Sequence, residues 1–272
     1  MSATHTYQLS GTAVVGRPTS RRRLTAVRAI ASVMAVSAIA FGLFTIVFAI
    51  LGPAQEVHAF HNAVVAALLL VLSAPPVVIV ARSPERATQA LVVLGMLAIA
   101  GLASMALSLT LDPFTLPFVV LIGVLWALRP CRESLLPAGR PSPILLLLVL
   151  VAAAPLLGYA LGQAESQRID TVSSHAAFFH WVEMSFYAAA VLLLGILAGL
   201  RPAAHRLAAW SSGVALAVLG AASLALANYA SALDTPWAWA ALVGSIAFIG
   251  AAEWEARRAD PGLERSTPRG SP

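Results

Sequence analysis

The sequence predicts an all-α polytopic membrane protein. Its eight transmembrane helices form two parallel-oriented four-helix repeats, and both termini are cytoplasmic. Three observations predict this class: a shortage of charged residues, eight long apolar runs, and a pattern that recurs 119 residues later in the chain. Of 272 residues, 59% are hydrophobic and 11% are charged, whereas a typical soluble domain has about 25% charged residues. So few charges cannot cover a water-soluble protein of this length, which indicates that lipid is the solvent.

Eight apolar runs are the candidate membrane crossings. Each has close to the roughly 20 residues that a helix needs to cross about 30 Å of hydrocarbon. None shows the alternation of a membrane strand, and open sheet edges do not lie in lipid, so helices are expected. The fourth and eighth runs are short, and an Asp with a nearby Pro precedes each of them, which predicts a tight turn. The runs cover residues 24–51, 62–81, 87–111, 113–128, 142–162, 181–200, 207–229 and 236–252.

The arginines predict the orientation. All 17 basic residues are Arg, and with the N-terminus inside, only Arg168 falls on the outer side. The other sixteen lie at the cytoplasmic ends of the runs or in the tails, a bias that matches the positive-inside rule. The expected location is therefore the cytoplasmic (plasma) membrane, with both termini inside. The inward arginines are Arg17, Arg21, Arg22, Arg23, Arg28, Arg82, Arg86, Arg129, Arg132, Arg140, Arg201, Arg206, Arg257, Arg258, Arg265 and Arg269.

An internal repeat relates the two halves of the chain. Phe60-His61 and Phe179-His180 are 119 residues apart, and the sequence GLASMAL at 101–107 matches GAASLAL at 220–226 at the same spacing. Four crossings per copy orient both copies alike, as in parallel repeats related by an axis along the membrane normal. The predicted units are the membrane repeats 24–130 and 142–256, the linker 131–141, the flexible N-terminal tail 1–23 and the disordered C-terminal tail 257–272.

Small residues and prolines predict local features inside these helices. Gly101, Ser104, Gly220 and Ser223 are spaced three apart within each copy and suit close contact between helices. Pro75-Pro76 predicts a kink in the second helix.

The composition also excludes several functions. The arginines do not form a stripe with interleaved aromatics, which argues against a nucleic-acid partner. The single Cys131 excludes an intramolecular disulfide, a multi-Cys zinc site and a dithiol redox pair. No helix has an ionisable residue near its middle, which argues against ion-coupled transport.

The predicted site lies at the outer ends of the second and sixth helices. His58 and His61 are three residues apart, as are His180 and Glu183, so each pair shares a helix face. The 21 residues from each repeated His to its cytoplasmic Arg span about 31 Å and place both histidines at the outer edge. Imidazoles and carboxylates suit a divalent metal ion, and paired imidazoles suit haem. The predicted ligands are His58, His61, His175, His180 and Glu183, with Glu56, Asp112 or Asp234 nearby.

Other interpretations remain open from the sequence. The histidines can be interfacial residues beside Trp181 and Tyr187 as belt aromatics. A metal-dependent lipid hydrolase would use Ser174 and His175 with an outer Asp, although no catalytic role can be assigned. A transporter that is not coupled to ions and a non-catalytic scaffold also fit. The lipid bilayer is the expected partner, and a homo-oligomer or another membrane partner is left open.

The layout of two parallel four-helix units with outward histidines resembles that of heme A synthases. Those proteins also carry histidines in the fourth helix of each unit. Residues 112–129 and 234–253 contain none here, so no site residue is carried over from that family.

Overall fold

The computed structural model describes residues 20–51, 55–129, 140–200 and 205–259. In these ranges the chain is helical and has no strand. Seven helices are long and apolar enough to cross a membrane. The chain is therefore an α-helical protein of the multi-pass membrane type, as the composition predicts.

The long helices follow the predicted apolar runs. The helix Thr115–Ala127 has 13 residues and is about 20 Å long, which is shorter than the hydrocarbon of a bilayer. A 3₁₀ turn at Pro84–Arg86 and a one-turn helix at Ser174–Ala177 lie in the connections. In chain order the seven long helices and the shorter α4 are α1 (Arg21–Leu51), α2 (residues 55–82), α3 (Thr88–Ser108), α4 (Thr115–Ala127), α5 (Pro143–Ile169), α6 (His180–Gly199), α7 (His205–Ala225) and α8 (Thr235–Ala259).

The ends of α1 and α8 extend into the predicted tails. Helix α1 begins at Arg21 and α8 ends at Ala259, each three residues beyond the expected boundary. Arginine is a good helix former, and the Arg23 guanidinium donates a hydrogen bond to the Ala127 carbonyl at the end of α4, 2.7 Å away. The rest of both tails and most of the linker lie outside the described residues.

Helix α2 contains a π-helical segment, Leu68–Ser73, between the α-helices Gln55–Ala67 and Ala74–Arg82. The segment ends two residues before Pro75, and Pro75 and Pro76 have no N–H to donate to carbonyls one turn earlier. The Ser73 hydroxyl donates a hydrogen bond to the Leu68 carbonyl at 2.8 Å. The predicted distortion at the prolines is therefore a widened turn within a continuous helix.

Four helices form the inside of the bundle. In α2, α3, α6 and α7, half or more of the apolar stretch is buried, whereas less than a third is buried in α1, α5 and α8. The outward faces of those three helices carry exposed apolar side chains such as Val36, Leu150 and Ile246, which suits contact with lipid. The inner helices pack around a core that includes Leu72, Leu94, Leu97, Val191, Leu194 and Leu219.

Two of the predicted small residues lie at close helix contacts. A Cβ atom on Gly101 would be 2.8 Å from the Thr115 side chain of α4, and one on Gly220 would be 2.7 Å from the Ala238 carbonyl of α8. The prediction of close contacts at these glycines is confirmed.

Candidate metal centre

Two histidines on α2 point to the same side of that helix. His61 is fully buried and His58 is 8% exposed. Their ring centroids lie 4.9 Å from that of His180 on α6 in both cases. The predicted sharing of a face is confirmed, and that face packs against the start of α6.

A structured connection brings His175 to the same place. The Asp170 carboxylate accepts hydrogen bonds from the backbone N–H of Ser173 at 3.0 Å and from the Trp181 indole at 3.1 Å. The Ser173 hydroxyl also donates to Asp170 and, with these other donors, lowers the pKa of Asp170 to about 2. Asp170 is thus ionised at neutral pH and fastens the loop on which His175 lies.

Phe179 gives this loop its sharp turn. It lies between the one-turn helix and α6 with φ of 62°, a left-handed conformation that is unfavourable for a bulky residue. The turn allows His175, five residues before His180, to face the same cluster. Ser231, with φ of 72°, is a second strained residue, and it also contacts the cluster. Backbone strain of this kind is often found at functional sites.

The rings of four histidines lie together at one end of the bundle, and we call His58, His61, His175 and His180 the histidine cluster. Trp181 stacks on His175 with centroids 5.1 Å apart and closes one side. The cluster joins the two halves of the chain. The centroid distances are 4.7 Å for His61 and His175, 4.9 Å for His58 and His180, 4.9 Å for His61 and His180, 5.0 Å for His58 and His175, and 6.0 Å for His175 and His180.

Two buried carboxylates accompany the cluster. Nδ1 of His180 lies 3.1 Å from the Glu183 carboxylate, so Nε2 of His180 carries the lone pair when Nδ1 donates. Asp112 is fully buried and accepts hydrogen bonds from the Phe114 N–H, at 2.8 Å, and from the Thr115 hydroxyl. Asp112 lies close enough to both His180 and Glu183 to interact with them electrostatically.

A hydrogen-bond chain fixes the ring of His61. The Ser231 hydroxyl donates its one hydrogen to Gln163 Oε1 at 2.7 Å. It therefore accepts from Nε2–H of His61, 3.1 Å away. This assignment leaves the lone pair on Nδ1 of His61, which is buried and has no hydrogen-bond partner among the described residues. Nδ1 of His58 is buried in the same way.

Three histidines present ring nitrogens close enough to converge on one ion. One nitrogen each of His58, His61 and His175 lies within 4.8 Å of the other two. In a tetrahedral zinc site, Zn–N bonds of about 2.0–2.1 Å place ligand nitrogens about 3.3 Å apart. The rings therefore need to approach by no more than about 1.5 Å to reach that geometry.

The structure separates the remaining predicted site residues. Asp112 is buried near the cluster, as expected for one of the candidates, whereas Asp234 is exposed. The side chain of Glu56 lies outside the described residues. Tyr187 is fully buried and donates to the Ala215 carbonyl at 2.7 Å, so its interpretation as a belt aromatic is wrong. Its hydroxyl is satisfied inside the protein and needs no interface.

Sequence reasoning missed the groups behind His61. Ser231 and Gln163 come from the loop before α8 and from α5, far from α2 in the chain. A single Ser or Gln at a helix end has no spacing that marks it, so no signal in one sequence finds them.

Comparison with known proteins gives no match: no family model, curated protein or solved structure is significantly similar to this chain.

Proposed function

We propose that this chain is an integral protein of the plasma membrane that binds one first-row divalent metal ion at the histidine cluster, on the extracytoplasmic face. His58, His61 and His175 are the proposed ligands, His180 supplies the fourth position or borders it, and Glu183 orients His180. The observation that carries the proposal is the convergence of three ring nitrogens within 4.8 Å. Imidazole suits Zn²⁺, Cu²⁺, Ni²⁺ and Fe²⁺.

Unsatisfied lone pairs support a metal ion. A buried acceptor without a partner costs about 1–3 kcal/mol, and the great majority of buried polar atoms have one. Nδ1 of His61 is such an acceptor, and Nδ1 of His58 is a second buried ring nitrogen without a hydrogen-bond partner among the described residues. An ion that accepts these lone pairs removes that cost.

The charge balance favours a dication. Glu183 is 8% exposed and Asp112 is fully buried, and Asp112 lies close enough to Glu183 to interact with it electrostatically. Two neighbouring ionised carboxylates in a low-dielectric interior are unfavourable, and either protonation or a cation relieves the cost. One divalent ion held by neutral imidazoles balances both charges.

The packing favours an ion over haem. Paired histidines ligate haem from opposite faces of a flat porphyrin. Here, neighbouring rings lie on several sides of His61, including His175, His180 and Trp181, with centroids 4.7–5.8 Å away. Rings this close leave no slot for a porphyrin between them.

The number of proposed protein ligands, three, matches catalytic zinc sites, whereas structural zinc sites have four. Catalytic sites use three protein ligands and keep a position for water or substrate, and bound zinc lowers the pKa of that water to about 7. His180 would supply the fourth position or border it. Glu183 holds Nδ1 of His180, which is the role that carboxylates take behind metal-site histidines.

The arginines support the proposed orientation. The end opposite the cluster carries Arg82 in the last turn of α2 and Arg206 near the start of α7. Arg129 lies over the Trp126 ring at 5.4 Å and Arg258 over the Trp254 ring at 3.8 Å. Arginines and tryptophans at one end suit a cytoplasmic membrane interface.

Reciprocal packing supports the two repeats, 24–130 and 142–256. Helix α2 packs on α7, and its counterpart α6 packs on α3, as a twofold relation requires. The Asp112 carbonyl accepts from the Leu116 N–H at 3.0 Å, and the Asp234 carbonyl accepts from the Ala238 N–H at 2.9 Å. The members of the two pairs are each 122 residues apart. We infer that α4, although short, takes the place of α8 in the first repeat and completes eight crossings.

A transporter is less well supported. The core between the inner helices is built from apolar side chains such as Leu94, Leu97 and Leu194. An apolar core of this kind does not provide the polar path that a transported solute needs.

Zinc titration tests the metal site. The full-length chain, purified in detergent and stripped with a chelator, is titrated calorimetrically with Zn²⁺. We expect one ion per chain, and none in the triple variant His58→Ala, His61→Ala, His175→Ala with the same helical circular dichroism. Zinc binding by a folded triple variant equal to that of the wild type would contradict the proposal.

Labelling of cysteines tests the orientation. The wild type has one cysteine, Cys131, which is expected inside. A membrane-impermeant maleimide should label intact cells only in the variant Cys131→Ser, Ser174→Cys, because Ser174 is exposed at the proposed outer end. Labelling of Cys131 in intact cells would indicate the opposite orientation.

A further inference from the structure

A large cavity lies in the second half of the bundle, beside the histidine cluster. Its volume is about 680 Å³, within the range of about 300–1,000 Å³ typical of ligand pockets. Helices α5, α6, α7 and α8 form its walls. Most of the lining is aliphatic, with Leu148, Val191 and Leu216 among the wall residues.

The two hydroxyl groups of the wall donate their hydrogens inside the protein. The Ser212 hydroxyl donates to the Val191 carbonyl at 2.8 Å, and the Tyr159 hydroxyl donates to the Ser231 carbonyl at 2.8 Å. Neither hydroxyl therefore has a hydrogen left to donate to a bound molecule. The interior suits a hydrocarbon chain.

The dimensions fit one lipid chain. Leu148 and Tyr159 on α5, and Trp237 and Phe248 on α8, line the cavity at positions eleven residues apart. Either pair spans about 16 Å along its helix, which is close to half of the roughly 30 Å of bilayer hydrocarbon. Val151 and Trp237 in the wall are 70% and 55% exposed, so the cavity opens sideways toward lipid.

The end nearest the cluster is negatively charged. Asp234 lines the cavity there, is exposed, and precedes α8. Trp237 lies one turn further along and offers a ring face to a cation. This pair favours a headgroup that carries an ammonium and disfavours an anionic one.

We propose that this cavity binds one acyl chain of a zwitterionic phospholipid, with the headgroup ammonium beside Asp234 and Trp237. The site goes beyond metal binding and does not depend on it. It also adjoins the metal centre: Tyr159 in the cavity wall and His61 in the cluster both bond to Ser231. A lipid held there presents its headgroup region next to the histidine cluster.

Two glycines allow the cavity to be filled. Gly158 and Gly244 line it on opposite walls, and a Cβ on either would meet no atom within 4 Å. Gly162 on α5 and Gly250 on α8 have equally open surroundings but are not part of the lining. Leucine at all four positions improves helix propensity, so the controls match the variants in helix, side chain and local space.

Lipid binding by the full chain in detergent is measured by native mass spectrometry, with phosphatidylethanolamine and phosphatidylglycerol as probes. We expect one tightly bound phosphatidylethanolamine, weakened at least about tenfold in Gly158→Leu and Gly244→Leu. Gly162→Leu and Gly250→Leu should bind as the wild type does. Asp234→Asn should remove the preference over phosphatidylglycerol.

Equal binding by all four glycine variants would overturn the chain site, and equal binding of the two lipids by the wild type would overturn the headgroup assignment. The same titration with the triple histidine variant should be unchanged. Failure of the lipid site is thereby distinguished from failure of the metal site.

Discussion

The rings of His61 and His180 stack with centroids 4.9 Å apart and planes inclined by 14°, although 119 residues separate them in the chain. They lie in the first two turns of corresponding helices of the two proposed repeats. The contact means that neither half of the chain holds the cluster alone. His58 comes from the first half and His175 from the second, so an ion bound here would join the halves.

Replacement of His61 by alanine should abolish tight zinc binding. His61 is fully buried, its Nδ1 has no hydrogen-bond partner among the described residues, and one of its ring nitrogens belongs to the converging set. Loss of a ligand should cost more than the roughly 10–100-fold that outer groups contribute. The measurement is calorimetric zinc affinity, and the control is His205→Ala, at the start of α7 and outside the cluster. A His61→Ala protein with wild-type affinity would remove this residue from the site.

Ser231→Ala should weaken zinc binding by about 10–100-fold without removing a ligand. The Ser231 hydroxyl accepts from Nε2–H of His61, and its loss frees the ring to rotate and to change tautomer. Ser245→Ala is the matched control, since the Ser245 hydroxyl donates within α8, to the Leu242 carbonyl. Competition for zinc with a chelator of known affinity measures the zinc affinity of both variants. An equal effect of the two changes would indicate general loosening instead of support for His61.

Asp112→Ala should destabilise the zinc-loaded protein by about 1–3 kcal/mol. Asp112 is fully buried and accepts from the Phe114 N–H and the Thr115 hydroxyl at the start of α4. Both donors lose their partner in the variant. Thermal unfolding in detergent gives the free-energy change.

The corresponding aspartate of the second repeat provides the control for Asp112. Asp234 occupies the same turn but is exposed, and surface substitutions usually change stability by no more than about 0.5 kcal/mol. Asp234→Ala should therefore lie within that range. Equal destabilisation by the two changes would contradict the buried role of Asp112.

The sequence predicts the helices because hydrophobicity and helix length are local properties. The run 181–200 became the helix His180–Gly199, and 142–162 became the first part of Pro143–Ile169. It also predicts the meeting of His61 and His180, because the repeat places both at one depth. A single sequence does not determine the direction in which each side chain points. Tyrosine is a residue type common at membrane interfaces, but Tyr187 points into the core, where its hydroxyl donates a hydrogen bond to the Ala215 carbonyl.

The site also depends on connections that no periodicity describes. His175 reaches the cluster because Asp170 caps its loop and Phe179 adopts a left-handed conformation. Ser231 reaches His61 from a loop 170 residues away. These contacts follow from tertiary packing and therefore required the structure.

X-ray absorption at the zinc K edge tests the proposed metal centre most directly. The zinc-loaded full-length chain should show three or four nitrogen neighbours at about 2.0–2.1 Å with the outer-shell signature of imidazole. That shell should disappear in the variant His58→Ala, His61→Ala, His175→Ala. A shell with sulfur at about 2.3 Å, or a spectrum that the triple variant leaves unchanged, would contradict a histidine centre in this protein.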